Sequence, residues 1–425
     1  MGFSIAPFLV AGLLTSQPLT LDDCVKIALE HNLTLRQLSE QVRAATAEYQ
    51  SSWSNFLPTL TVSGGYSRYR TETPWPGGYY TLEDTSWSAS FQLSQTLFDS
   101  ERFALSARLR AQKEVSEMEF TKERLNVSLK AKEDYYNLFR MKKLRQVSET
   151  RLKESEKNLE KTEQLHRLGS ASRAALLKAK VDFLEAQLEA IKASKNVELA
   201  KSNLLITLGF GPSEEIVLEE DSLIELKEPP SYEVMLELAS RHSPKLRSAK
   251  ANLGLAKANL YASYGAYLPK LSFSATYGYQ GRYAFPLKQA WDEGRKDWRF
   301  GLTISVPIFT GFQRYLSTNK RSAELRSAEH YREIVERNLR LELENSYLTI
   351  EESTKRLELA EEAFELAQES YEAAKERYDL GAAPILELID AELSLVKAES
   401  ARIEAFYDYR LGIERLKAIV GKEDI

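Results

Sequence analysis

The expected fold is mainly α with a small antiparallel β part: a long coiled-coil α-helical barrel plus four strands that belong to a β-barrel shared between copies. Three observations carry this. Two stretches alternate between apolar and polar residues, Trp87-Ser88-Ala89-Ser90-Phe91-Gln92-Leu93 and Trp298-Arg299-Phe300-Gly301-Leu302-Thr303-Ile304, which is the period of a strand with one apolar face. From Ser100 to Leu168 there is neither proline nor glycine, so one very long helix is expected. Both features recur downstream, with Trp87 answered by Trp298, 211 positions later.

Composition narrows the function. The chain has 425 residues, a net charge of −5 and 28% charged residues, so no basic excess points to nucleic acid. Cys24 is the only cysteine, which excludes a disulfide framework and a multi-cysteine metal site. His31, His166, His242 and His330 share no ligand spacing. Acids abound in helical charge patterns, but no nucleophile, phosphate loop or metal cluster accompanies them, so no enzyme is expected.

The N-terminal Phe3–Leu14 stretch is apolar, too short to span a membrane as a helix, and suits a signal peptide over 1–16 even though it lacks a positive start. A first repeat is expected over 17–211. Its helical pattern runs from Leu19 to Phe56, opening at Thr20 with Asp22 and Asp23 and closing before Pro58. A β-hairpin follows over 59–98, with Pro74, Trp75, Pro76, Gly77 and Gly78 at its turn. Trp87, Phe91, Leu93 and Leu97 mark its apolar face.

The long helix after Phe98 would reach about 100 Å at 1.5 Å per residue. A break at Gly169 leads to a shorter helix from Ser172 to about Leu208. A linker, 212–230, precedes the second repeat, 231–425, which has a helix ending before Pro269 and a hairpin over 270–309. In that hairpin Leu271, Phe273, Ala275, Tyr277, Tyr279 and Tyr283 precede the face of Trp298, Phe300, Leu302, Ile304, Val306 and Ile308. The following long helix carries a heptad seam, with Ile350, Leu357, Phe364, Tyr371 and Tyr378 as knobs and Ser353, Ala360, Ala367 and Ala374 as the small residues between them.

Four strands cannot close a barrel, since about eight is the smallest number that does, and an open edge cannot sit in lipid. Copies must therefore share it. Two chains would supply eight strands and three would supply twelve, and the residues alone leave both open. The chief rival reading is a soluble or surface-attached coiled-coil scaffold, which accounts for the heptads but not for the aromatic, alternating hairpins. An adaptor is a second rival, but the many short strands of a lipoyl-like domain are missing.

Several short motifs then connect the chain to a known family. Phe56-Leu57-Pro58 and Tyr267-Leu268-Pro269 lead into the hairpins; Leu97-Phe98-Asp99 and Pro307-Ile308-Phe309-Thr310-Gly311 lead out of them. Arg167-Leu168-Gly169 and Tyr378-Asp379-Leu380-Gly381 stand at the helix turns. In this order and spacing, from Leu19 to Gly421, the chain resembles the TolC-type outer-membrane efflux proteins. The resemblance implies a homotrimer and a twelve-stranded transmembrane barrel in outer-membrane lipid, with a helical tunnel through the periplasm. It also implies a periplasmic adaptor (membrane fusion) protein and an inner-membrane pump or ABC transporter as partners, for efflux or type I secretion, with no catalysis and no cofactor in this chain.

Residue roles follow from the same resemblance. The turns with Arg167, Leu168, Gly169, Ser170, Leu380 and Gly381 form the adaptor-contacting tip. Glu387 and Asp390, which share a helix face at i, i+3, match the positions that form acidic rings at the tunnel constriction, and Tyr378 is retained as an aromatic contact there. Phe273, Tyr277, Trp298, Phe300, Leu302 and Ile304 face lipid with their counterparts in the first hairpin. Ala175 and Ala383 stand where the family pattern has a charged acid and an arginine, so closure here is expected to rest on packing or on the carboxylates.

Overall fold

A computed structural model describes residues 18–211, 214, 216–219, 230–281 and 295–421. The expected signal segment 1–16, most of the expected linker 212–230, and Tyr283 lie outside the described residues.

Thr20 opens α1 (Leu21–His31) with a reciprocal cap: its hydroxyl accepts from the Asp23 amide at 3.2 Å, and the Asp23 carboxylate accepts from the Thr20 amide at 3.1 Å. The single helix expected over Leu19–Phe56 is two. Asn32 leaves the helical backbone, and its side chain accepts from the Leu35 amide at 3.0 Å, so it ends α1 and starts α2 (Leu33–Ser54). The counterpart divides in the same way, into α5 (Tyr232–His242) and α6 (Pro244–Gly265), where Pro244 supplies no N–H and sits at the first helical position.

The strands are β1 (Thr59–Trp75), β2 (Gly78–Phe98), β3 (Lys270–Gly281) and β4 (Arg295–Ser305). The long helices are α3 (Ser100–Arg167) and α7 (Gln313–Asp379), of 68 and 67 residues; the shorter α4 (Arg173–Leu208) and α8 (Ile385–Val420) have 36 each. Gly209 and Gly421 close these shorter helices in the left-handed conformation, at φ 84° and 80°.

The chain forms two compact units. One comprises residues 18–39, 118–248 and 334–421 and is built from helices. Its largest core gathers Cys24, Ala28, Tyr135, Leu138, Leu204 and Leu208, all nearly inaccessible. A second gathers Met235, Leu339, Leu343, Ile350, Leu416 and Val420. The heptad seam of α7 is buried at Ile350, Ser353, Leu357, Ala360, Ala374 and Tyr378, while Leu359 and Leu366, on another face, are exposed. The other unit, 40–117 and 249–333, holds the sheet with the adjoining helix segments. There Ser52 and Ser106 pair at 3.1 Å between α2 and α3, Ser100 bonds to the Gly265 carbonyl, and Arg102 bonds to the Asn55 carbonyl. Small side chains at such crossings let helices approach closely.

Candidate functional site

The four strands pair antiparallel in the order β1-β2-β3-β4. Their register sorts side chains onto two faces. One row runs Val62, Phe91, Tyr277, Trp298 and the next Leu60, Leu93, Ala275, Phe300. Phe273 pairs with Leu302 and Leu271 with Ile304 on the same face, and Trp87 pairs with Tyr66. Trp298, Phe300, Leu302 and Ile304 are each about two-thirds exposed, so this contiguous apolar face is left open by the chain itself.

The opposite face is hydroxylated. Ser63 and Ser90, Ser67 and Ser86, and Thr59 and Ser94 face each other across β1 and β2, their hydroxyls 2.7 Å apart. Such cross-strand pairs satisfy one another and leave remaining lone pairs for water. Leu97 falls outside the alternation: the register shifts between Thr96 and Phe98, so Phe98 rather than Leu97 pairs with Leu271. Gly281 has a specific use, because a Cβ there would collide with the Trp87 indole.

The helix turns share one geometry. At the end of α3 the Gly169 amide donates to the His166 carbonyl at 3.0 Å and the Ser170 amide to the Leu165 carbonyl at 2.8 Å; at the end of α7 Gly381 donates to Tyr378 at 3.0 Å and Ala382 to Arg377 at 2.7 Å. These are paired closing bonds around a left-handed glycine, φ 76° and 72°. Each turn presents a leucine outward, Leu168 at 78% and Leu380 at 76% exposure. Arg167 is the last residue of α3, and Ser172 caps α4 by accepting from the Ala175 amide at 3.1 Å.

Beyond the second turn, Glu387 is partly exposed and Asp390 exposed on α8. Arg377 donates to Glu387 at 2.7 Å, a neutralising partner that spacing along α8 does not reveal because it sits on α7. Tyr378 lies elsewhere: it is buried with Ile385, Leu388 and Ile389, and its hydroxyl is 3.3 Å from that of Thr162 on α3. Lys161 lies over the Tyr378 ring at 4.5 Å and donates to Asp379 at 2.7 Å. The structure thus groups Glu387, Asp390 and Arg377 at one surface and buries Tyr378 and Thr162 elsewhere, beneath Lys161.

A buried polar layer in the same unit joins residues from separate helices. Arg151 of α3 donates to Asp182 of α4 at 3.2 Å, with both side chains under a tenth exposed. Asn158 of α3 donates to Oε2 of Glu392 on α8 at 3.3 Å, while Oε1 has no hydrogen-bond partner among the described residues. Burial pushes the Glu392 carboxyl up to about 7; the Asp182 and Glu154 carboxylates push it the same way, and the Arg151 and Lys375 cations oppose them. None of Arg151, Asp182, Asn158 and Glu392 stands out by local motif. The available signal was phase: Glu392 continues the buried Ile385, Leu388 stripe, and Asp182 follows Ala179 by three.

Comparison with known proteins now gives these features a family. Residues 24–209 and 235–422 match the family model described as outer membrane efflux protein. The chain is 21% identical over 394 residues to outer membrane protein TolC of Vibrio cholerae, covering 93% of this chain and 89% of that protein. It is 21% identical over 410 residues to the alkaline protease secretion protein AprF of Pseudomonas aeruginosa, covering 95% and 84%. Among solved structures, the CmeC outer membrane channel of Campylobacter jejuni superposes with a TM-score of 0.84 at 19% identity, covering 94% and 85%. The fold is therefore that of channel proteins with a helical barrel and a β-barrel. The chain belongs to the outer membrane efflux protein family, the TolC-type channels, and is located in the outer membrane with a helical extension in the periplasm.

Proposed function

We propose that three copies close a twelve-stranded barrel and act as the passive exit duct of a tripartite efflux or type I secretion system. One observation carries this reading: a sheet of only four strands, apolar on one face and hydroxylated on the other, whose edges β1 and β4 have no further strand beside them among the described residues. Unpaired edges cost several kcal/mol per group in lipid, and pairing with further copies removes them. Two repeats, 17–211 and 231–425, contribute one hairpin each, joined by the linker 212–230 after the signal segment 1–16. The face with Trp87, Phe91, Leu93, Phe273, Tyr277, Trp298, Phe300, Leu302 and Ile304 meets lipid, with Leu97 at the bulge on its margin.

A periplasmic adaptor docks on the tip turns around Arg167, Leu168, Gly169, Ser170, Leu380 and Gly381. An inner-membrane pump or ABC transporter supplies energy and chooses the cargo. Glu387 and Asp390 line the constriction. Because Arg377 neutralises Glu387, Asp390 is the carboxylate that sets the sign of the ring. Tyr378 against Thr162, with the Lys161–Asp379 pair, holds the tip closed in place of the charges absent at Ala175 and Ala383.

Detergent-extracted protein should have a mass near three times that of one chain, 48.4 kDa with the signal segment included, and form pores in planar bilayers that prefer cations, a preference weakened by Asp390→Asn. A stable, non-conducting monomer overturns the duct. Leu168→Glu places a charge at an exposed point of the first tip turn and should lower adaptor retention in a pull-down about tenfold while the trimer stays intact. Undiminished retention removes that turn from the docking surface.

A further inference from the structure

The β1–β2 ribbon continues well beyond the Tyr66–Trp87 row, to Trp75 and Gly78. Along it the two faces exchange polarity. Below, the face of Val62 and Phe91 is apolar and that of Ser63 and Ser90 polar. Above Ser67, the formerly apolar face carries Arg68, Arg70, Glu72 and Glu83, with Arg68 and Glu83 at 3.2 Å, Arg70 and Glu72 at 3.1 Å, and Arg70 and Glu83 at 3.6 Å. The formerly hydroxylated face carries Tyr69, whose hydroxyl donates to Asp84 at 3.2 Å, then Leu82, Tyr80 and Trp75, which are 42%, 62% and 71% exposed, with Thr71 and Thr73 between them. Tyr79 is on the charged side, opposite Pro74.

A ribbon bathed by water on both sides gains nothing by gathering the Arg–Glu ladder on one face and Leu82, Tyr80 and Trp75 on the other, where Asp84 is the one charge and is bonded to Tyr69. Sorting is favourable only when one face is covered. In a closed barrel the serine face looks inward, so its continuation at Leu82, Tyr80 and Trp75 looks over the pore mouth. Reach permits contact there: the stretch from Ser67 to Trp75 extends about 30 Å at 3.3 Å per residue. A twelve-stranded barrel with strands about 4.8 Å apart and tilted about 40° has a radius of only about 12 Å. Equivalent ribbons are the partners that closure brings to this inner face at every copy.

We infer that the β1–β2 ribbons of three copies converge on the pore axis and close the outer mouth of the duct through a cluster of Trp75, Tyr80 and Leu82, leaving the Arg–Glu ladder in solvent. This rests on the three-copy barrel proposed above. It makes the mouth a second closure, separate from the one at the helix turns.

Single cysteines at Trp75 and Tyr79, reacted with a short bismaleimide in reconstituted liposomes, test the contact. Cys24 serves as a silent background, since it is buried and burial pushes its thiol up to about 12. Trp75→Cys should give covalent dimers on a denaturing gel, and Tyr79→Cys, on the charged side, should stay monomeric. Trp75→Ser with Tyr80→Ser should raise single-channel conductance at least twofold. Conducting trimers with no cross-link at 75 and unchanged conductance in the double variant overturn closure of the mouth and leave the duct standing. Protein that neither trimerises nor conducts removes the duct, and this inference with it.

Discussion

Arg151→Met is expected to destabilise the helical unit by about 3–5 kcal/mol, the cost typical of removing one partner from a buried ion pair. Arg151 is the cation bonded to Asp182, and the Glu392 carboxyl is close enough to feel both. Without it, two buried acids face each other, with Lys375, which lies 3.6 Å from Glu154, left to offset them. A helical melt followed by circular dichroism at neutral pH should shift down by several degrees. Arg151→Met with Asp182→Leu should recover most of the loss, because an apolar pair of similar volume has no charge to strand. If the double variant is as unstable as the single one, the damage lies in packing and the electrostatic account fails.

The second expectation concerns Glu392 and is a dependence on pH. The carboxyl has an ordinary value of 4.5 and about 7 in the folded chain. Between those values the folded state binds a proton that the unfolded state does not, so stability falls as pH rises through the window. Glu392→Gln mimics the neutral acid and keeps an acceptor for Asn158. It should therefore stabilise by less than about 1 kcal/mol near pH 5 and by about 3 kcal/mol near pH 8, since each tenfold difference in proton affinity between the two states is worth roughly 1.4 kcal/mol. The groups facing Glu392 are Arg151, Glu154 and Asn158 from α3, Asp182 from α4 and Lys375 from α7. A gain that is the same at both pH values would mean that the carboxylate is not the strained group.

Both expectations involve residues that no reading of the chain by itself singled out, whereas the strands were legible because their period is local. Serine and threonine at every second position, with Trp, Phe and Leu between them, dictate two faces whatever the register. The long helices were legible for the opposite cause: nothing in Ser100 to Leu168 can stop one. The turns at Gly169 and Gly381 were visible as left-handed glycines in waiting. The helix breaks before each hairpin were harder to place. Both were missed: Pro244 can sit at the start of a helix as well as end one, and Asn32 acts through a side-chain bond to Leu35 that competes with an otherwise good helical pattern.

Local patterning thus established the alternating ribbons, the uninterrupted helices, the doubled order and the shortage of strands that calls for further copies, since each depends on residues near one another in the chain. Three-dimensional packing alone settled the bulge that takes Leu97 out of the ladder and the turning of Tyr378 away from Glu387 and Asp390. It also settled the pairing of Arg377 with Glu387 and the meeting of Arg151, Asp182 and Glu392. Those outcomes depend on which strand pairs with which and which helix faces which. That choice is made by total burial summed over whole elements, and a charge acquires its partner, and its proton, only after that choice is made.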